Sequence, residues 1–157
     1  QGGWHYHWDY CGGDLTDDSI HQLDLALMVM GDPGLPSSVR ALGGRYVTHK
    51  DDDAEVPDVL NIAWDFGEFA MTFDMSQYPK YMEKSSDVLR KKHLVSDWKQ
   101  NATRIEFYGQ DMLMILGRHG GGFVVEKESS QVVDKVYGQA GDLEHYRNFI
   151  ASVKSRK

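Results

Sequence analysis

The sequence predicts an α+β fold rather than a doubly wound α/β one, on three observations. Strand-like alternation and helical periodicity fall in separate blocks, in the order strand, helix, several strands, helix. Two adjacent alternating stretches are joined by a link too short for any but an antiparallel pairing. No repeat with a period of roughly 20 to 50 residues runs through the chain, which excludes solenoids and propellers. At 157 residues, with no Pro/Gly/Ser-rich linker, the chain is read as a single domain over 1–157 that can bury a core without staples. Its hydrophobic share of 41% and charged share of 26% exclude disordered and coiled-coil classes.

Taken in order, residues 4–10 alternate Trp4, Tyr6, Trp8 and Tyr10 against His5, His7 and Asp9, a pattern that predicts a strand. Gly12-Gly13 breaks it. Asp17-Asp18-Ser19 supplies N-cap candidates for an apolar helix through Ile20, Leu23, Leu27 and Met30, which Gly31-Asp32-Pro33-Gly34 ends. Strands are expected near Val39–Val47, Val59–Phe66 and Phe69–Met75. The last two form a hairpin, with Leu60, Ile62, Trp64 and Phe66 on one strand and Phe69, Met71, Phe73 and Met75 on the other. Residues 76–100 show no clear period and read as a long excursion with a short helix at Ser86–Lys92. Three more strands follow at Thr103–Tyr108, Asp111–Leu116 and Phe123–Lys127. A final helix capped by Asp142 carries Leu143, Tyr146, Ile150 and Val153 on one face.

The formal charge of -7, spread along the chain, opposes nucleic acid as a partner. Cys11 is the only cysteine, so neither an intramolecular disulfide nor a zinc-thiolate cluster can form. No apolar run reaches the roughly 20 residues of a membrane span. The chain opens at Gln1 inside patterned sequence, which leads us to expect a preceding segment.

The pattern most like an active site is Asp17-x-x-x-His21: four-residue spacing at a helix start sets carboxylate and imidazole about 5–6 Å apart at Cβ. A histidine titrating near neutrality can take a proton from a hydroxyl as its carbon loses hydride. Asp24, three residues further on, is a second candidate for orienting that ring or contacting substrate. On a strand, His5, His7 and Asp9 would share one face; a metal would suit them, but a hydroxyl-rich substrate or a polar sheet face suits them too and is preferred over metal. Asp51-Asp52-Asp53 with Glu55 lacks the spacing of a calcium loop and reads as solvated. His49, His93, His119 and His145 have no partner by spacing, and Trp98, Tyr78 and Tyr81 are read as cover for a core or contact.

The strings Trp4-His5-Tyr6-His7-Trp8-Asp9-Tyr10, Gly12-Gly13-Asp14-Leu15, Asp17-x-x-x-His21-x-x-Asp24, Val39-Arg40-Ala41-Leu42-Gly43-Gly44, Glu55-Val56-Pro57-Asp58, Phe107-Tyr108-Gly109 and His145-Tyr146-Arg147-Asn148-Phe149-Ile150 together resemble the Gfo/Idh/MocA family of glucose-fructose oxidoreductases and inositol dehydrogenases. That resemblance implies the C-terminal domain of such an enzyme: a large, mostly antiparallel β-sheet with helices packed on one face, lacking the N-terminal Rossmann domain that binds NAD or NADP. By the same resemblance His21 is the acid/base and Asp17 binds the reacting hydroxyl of a sugar or polyol; His5, His7 and Asp24 are assigned substrate-contacting roles from their positions in the sequence alone. The Gly-x-Gly-x-x-Gly of a dinucleotide site and the family's Glu-Lys-Pro are both missing from the sequence, so cofactor and lysine are expected from the other domain, and the isolated chain is expected to be inactive. Some family members hydrolyse glycosides using a retained NAD, and many associate through the sheet face, so hydrolysis and assembly are the alternative roles.

Overall fold

The computed structural model describes residues 3–47, 51–76, 103–117, 122–128, 131–137 and 141–156. The excursion beyond Ser76, its expected helix at Ser86–Lys92, and His49, His93, His119, Tyr78, Tyr81 and Trp98 lie outside them. Two compact units divide the chain at Lys80/Tyr81. Among the described residues the strands pair antiparallel, in one three-stranded and one four-stranded sheet, and two α-helices complete a mixed α+β fold.

The first unit holds a helix α1 (Ile20–Val29) and strands β1 (Ser38–Gly44), β2 (Val59–Asp65) and β3 (Ala70–Ser76), in sheet order β1-β2-β3. The hairpin β2–β3 follows from its alternation: Leu60, Ile62 and Trp64 stand opposite Met75, Phe73 and Met71, and Ile62, Trp64, Met71, Phe73 and Met75 are each less exposed than their neighbours along the strand. Ile62, at 5% exposure, is part of the core, and Trp64 meets Phe73 edge-on at 6.5 Å. The reversal is tied by the Phe66 amide donating to the Phe69 carbonyl and the Gly67 amide donating to Asp65 Oδ1, with Gly67 at φ 83. Phe66 and Phe69 stack across the turn at 4.6 Å.

Residues 4–10 do not form the expected strand. Trp4–Tyr6 is a 3-10 helical turn, and the Tyr6, His7, Tyr10 and Cys11 amides donate to carbonyls three or four residues back, at Gly3, Trp4, His7 and His7. Neighbours on a strand point to opposite faces, yet the rings of Trp4 and His5 stack at 3.9 Å. Burial ignores the alternation too: Trp4, Trp8 and Tyr10 are exposed while His5, Tyr6 and His7 are all half-buried. Ser19 occupies the N-cap of α1 in αR geometry, but no side chain caps the helix. A second 3-10 turn (Gly13–Leu15) and the turn after it run directly into α1, so carbonyls of Asp18 and Ser19 already receive the amides of its first turn.

A short segment before β2 ties these pieces together. Asp58, 2% exposed, accepts the Tyr46 amide on Oδ1 at 2.8 Å and the Val47 amide on Oδ2 at 3.0 Å, while its own amide donates to the Gly44 carbonyl. Three residues upstream, the Glu55 amide donates to the Tyr6 carbonyl at 2.8 Å, and Glu55 Oε2 accepts the Trp8 amide at 2.9 Å. Val56, 2% exposed, lies against Gly13, where a Cβ would stand 2.7 Å from Val56 Cγ2. Gly13 also has φ 74, so glycine is required there twice over.

The second unit has sheet order β4-β5-β6-β7: β4 (Arg104–Tyr108), β5 (Leu113–Gly117), β6 (Gly122–Lys127) and β7 (Gln131–Tyr137), followed by α2 (Asp142–Ser155). Ile115, 3% exposed, lies at its centre, and a register shift marks β6 at Val125/Glu126. On β4, Glu106 bonds Arg104 Nε at 2.5 Å and also accepts the Tyr108 hydroxyl. Burial of Glu106 works to raise its pKa, but the bonds from Tyr108 and Arg104 outweigh it and hold the carboxyl below its ordinary value. Gly141 rather than Asp142 stands at the N-cap of α2, and Leu143, Tyr146, Phe149, Ile150 and Val153 are each at least half exposed. Among the described residues no helix is long and apolar enough to cross a membrane.

Removing the Asp58 carboxylate leaves two backbone amides without their acceptor. Asp58→Ala is expected to cost about 2–4 kcal/mol of stability, read as a lowered urea midpoint; an unchanged midpoint would show that the amides find other partners.

Candidate functional site

The half-buried residues of the N-terminal segment face a set of carboxylates in the first unit. His5 Nδ1 lies 3.2 Å from Asp17 Oδ2. The ring is a third exposed, but Nδ1 itself is screened from solvent and has no aligned hydrogen-bond partner, so the contact is an ion-pair approach without hydrogen-bond geometry. Trp4 covers one face of the imidazole, and Tyr6 meets it edge-on at 6.2 Å. His7 Nε2 stands 4.0 Å from Asp53 Oδ2, at the outer limit of an ion pair and with Asp53 largely exposed. His5 and His7 thus address different acids, which replaces the single face expected of a strand carrying His5, His7 and Asp9. Among the described residues no three His, Cys, Asp or Glu side chains converge as a metal site requires.

Tyr6 reports the field of this cluster. The charge of Asp14 raises its pKa above 10.0, and burial, Asp17 and Asp52 add to the effect. The sequence reading missed Asp52 and Asp53 as contributors because they are remote in sequence from the segment they face, and missed Asp14, close by in sequence, because an expected strand would have carried the segment away from the turn that holds it. Their signal was the acidic run Asp51-Asp52-Asp53, which reads locally as solvated loop. Asp52 does serve that loop, its Oδ1 accepting the Ala54 amide and its carbonyl accepting Arg45 Nη2.

Asp17 sits in the turn before α1, its amide donating to the Gly13 carbonyl, while His21 and Asp24 are exposed on α1 itself. The four-residue spacing therefore straddles the helix boundary. The partner that the structure gives Asp17 is His5, which the sequence had set among the substrate-contacting residues. A concavity of about 270 Å3 in the second unit, lined by Tyr108, Asp111, Glu126, Lys127 and neighbours, contains none of the site residues singled out from sequence.

The fold is similar to the structure of "putative oxidoreductase yvaA from Bacillus subtilis in triclinic form", with a TM-score of 0.53 and 17% identity. The similarity covers 92% of this chain and 43% of that one, so this chain spans less than half the length of its structural neighbour. At that identity it is the fold that is shared. No family model matches the sequence, and no curated protein matches it.

The raised pKa of Tyr6 has a defined pH consequence. A phenol whose folded pKa lies above its unfolded value contributes stability below the unfolded pKa and loses it as pH rises through the folded one. The tyrosinate transition that Tyr6→Phe removes from an absorbance titration is expected above pH 10.0, and Asp14→Asn is expected to move it down; a transition at or below 10.0 would contradict the clustered field.

Proposed function

We propose that this chain is the C-terminal, substrate-facing part of an NAD(P)-dependent oxidoreductase of the Gfo/Idh/MocA type, acting on a hydroxyl-bearing carbon of a sugar, polyol or derivative. The observation that carries the reading is the likeness of 92% of the chain to the fold of a protein described as an oxidoreductase, more than twice its length. The motif string through Asp17, His21 and Asp24 supports it. The nicotinamide, bound by a Rossmann domain outside this sequence, supplies a hydride acceptor.

This chain's residues handle the hydroxyl. Asp17 accepts a hydrogen bond from a neighbouring hydroxyl of the substrate and so holds the reacting one in place. His21 removes the reacting hydroxyl's proton as hydride leaves its carbon, and returns it in the reverse direction. Exposure suits His21 to this task, since its ring is free to meet a substrate arriving from outside the unit. Carboxylates at Asp14, Asp17, Asp52 and Asp53 accept hydrogen bonds from neutral hydroxyls, and their shared charge disfavours phosphorylated or carboxylated substrates. Exposed Trp4, Trp8 and Tyr10 beside them offer apolar faces on which a sugar ring can stack. Self-association belongs to the same proposal, supported by the exposed apolar side chains of α2 and by Val39 and Leu42 of β1.

In the protein joined to its nucleotide-binding domain, His21→Ala is expected to lower kcat at least about a hundredfold, the scale of a lost acid/base, with cofactor affinity unchanged. Calorimetry of the 157-residue chain alone is expected to show no micromolar binding of NAD(H) or NADP(H). Unaltered turnover in His21→Ala, or tight dinucleotide binding by the chain alone, would contradict the assignment.

A further inference from the structure

We propose that His5 is a positioning residue for Asp17, engaging one carboxylate oxygen so that the other is presented to the substrate hydroxyl; the role rests on the oxidoreductase reading above. Three observations in the first unit converge on the pair. His5 Nδ1 stands 3.2 Å from Asp17 Oδ2. The same nitrogen is shut off from water and has no aligned hydrogen-bond partner. Trp4 lies on the imidazole face at 3.9 Å, leaving the ring little freedom to turn away.

A solvent-screened imidazole nitrogen beside a carboxylate is favoured as an N–H donor, because the alternative sets a lone pair against a negative oxygen. With the proton on Nδ1, a small rotation of Asp17 converts the 3.2 Å approach into a charge-assisted hydrogen bond. Asp17 lies in a turn and is nearly half exposed, so nothing on its own element holds its carboxylate in one orientation. His5 is itself anchored, since the carbonyl of the next residue, Tyr6, receives the Glu55 amide. A fixed segment therefore orients a carboxylate on a separate turn. His5 acts through Asp17 and need not touch the substrate.

The rival reading is that His5 merely packs under Trp4, and ring chemistry separates the two. With nitrogen-15 in the histidine rings of the wild-type chain, His5 Nδ1 is expected to carry its proton at neutral pH. Asp17→Asn is expected to shift the His5 ring signals while those of exposed His145 stay in place. An unprotonated Nδ1, or His5 signals blind to Asp17→Asn, overturns the pair.

In turnover by the enzyme joined to its nucleotide-binding domain, His5→Phe keeps a ring beneath Trp4 and is expected to lower kcat/KM about tenfold, as for one lost charged hydrogen bond. His5→Asn, which sets an amide N–H close to the position of Nδ1, is expected to recover most of it. Full activity of His5→Phe overturns the positioning role and leaves the oxidoreductase reading standing. No hydride transfer by the wild type to NAD(P) from any sugar or polyol overturns that reading and the positioning role with it. Circular dichroism identifies a variant that fails to fold, in which case the wild-type nitrogen spectrum decides.

Discussion

The first unit depends on a buried carboxylate: Asp58 takes two backbone amides from the turn after β1. Burying a carboxylate is tolerable only where donors replace its water. Once Asp58 is so placed, the chain just ahead of it has little freedom, and Glu55 and Val56 lie where the N-terminal segment can bond to them. Glu55 uses its amide on Tyr6 and its carboxylate on Trp8, while Val56 fills the space that Gly13 leaves empty. A strand-leading segment thereby fixes both the aromatic turn that carries His5 and the glycine turn that leads to Asp17.

That arrangement concentrates charge. Asp14 and Asp17 come from the turns before α1, whereas Asp52 and Asp53 come from the loop before β2, and the two sets meet around Tyr6 and the two histidines. Several carboxylates around two imidazoles and exposed indoles form a surface that accepts hydrogen bonds and stacks rings. The proposed function asks no more of this chain than such a surface, together with one proton-transfer group.

The sequence was most legible where one physical signal ruled. Alternation over Leu60–Trp64 and Met71–Met75 is enforced by a half-buried sheet, and the hairpin appears within a residue of its expected bounds. The apolar run from Ile20 likewise became α1. Alternating aromatics at Trp4, Tyr6, Trp8 and Tyr10 imitated a strand because ring spacing says nothing about where the amides bond, and here they bond locally. β7 escaped notice because Asp134-Lys135 interrupts its valines, and on a sheet edge exposed on both faces no hydrophobic period is needed. The pairing of Asp17 with His5 crosses a turn and a segment boundary, so no spacing rule within one element could reveal it. The antiparallel α+β class survived these local errors, since it rests on the order of elements rather than on any one of them.

Native-state hydrogen exchange tests most directly whether the Asp58 segment organises the site. The amides of Tyr46 and Val47, held by Asp58, and those of Glu55 and Trp8, which join the strap to the N-terminal turn, are expected to open with free energies close to that of Ile62 in the sheet core. If the Glu55 and Trp8 amides exchange as freely as an unstructured loop while Ile62 stays protected, the aromatic turn is not held by that strap, and the account of how His5 reaches Asp17 fails.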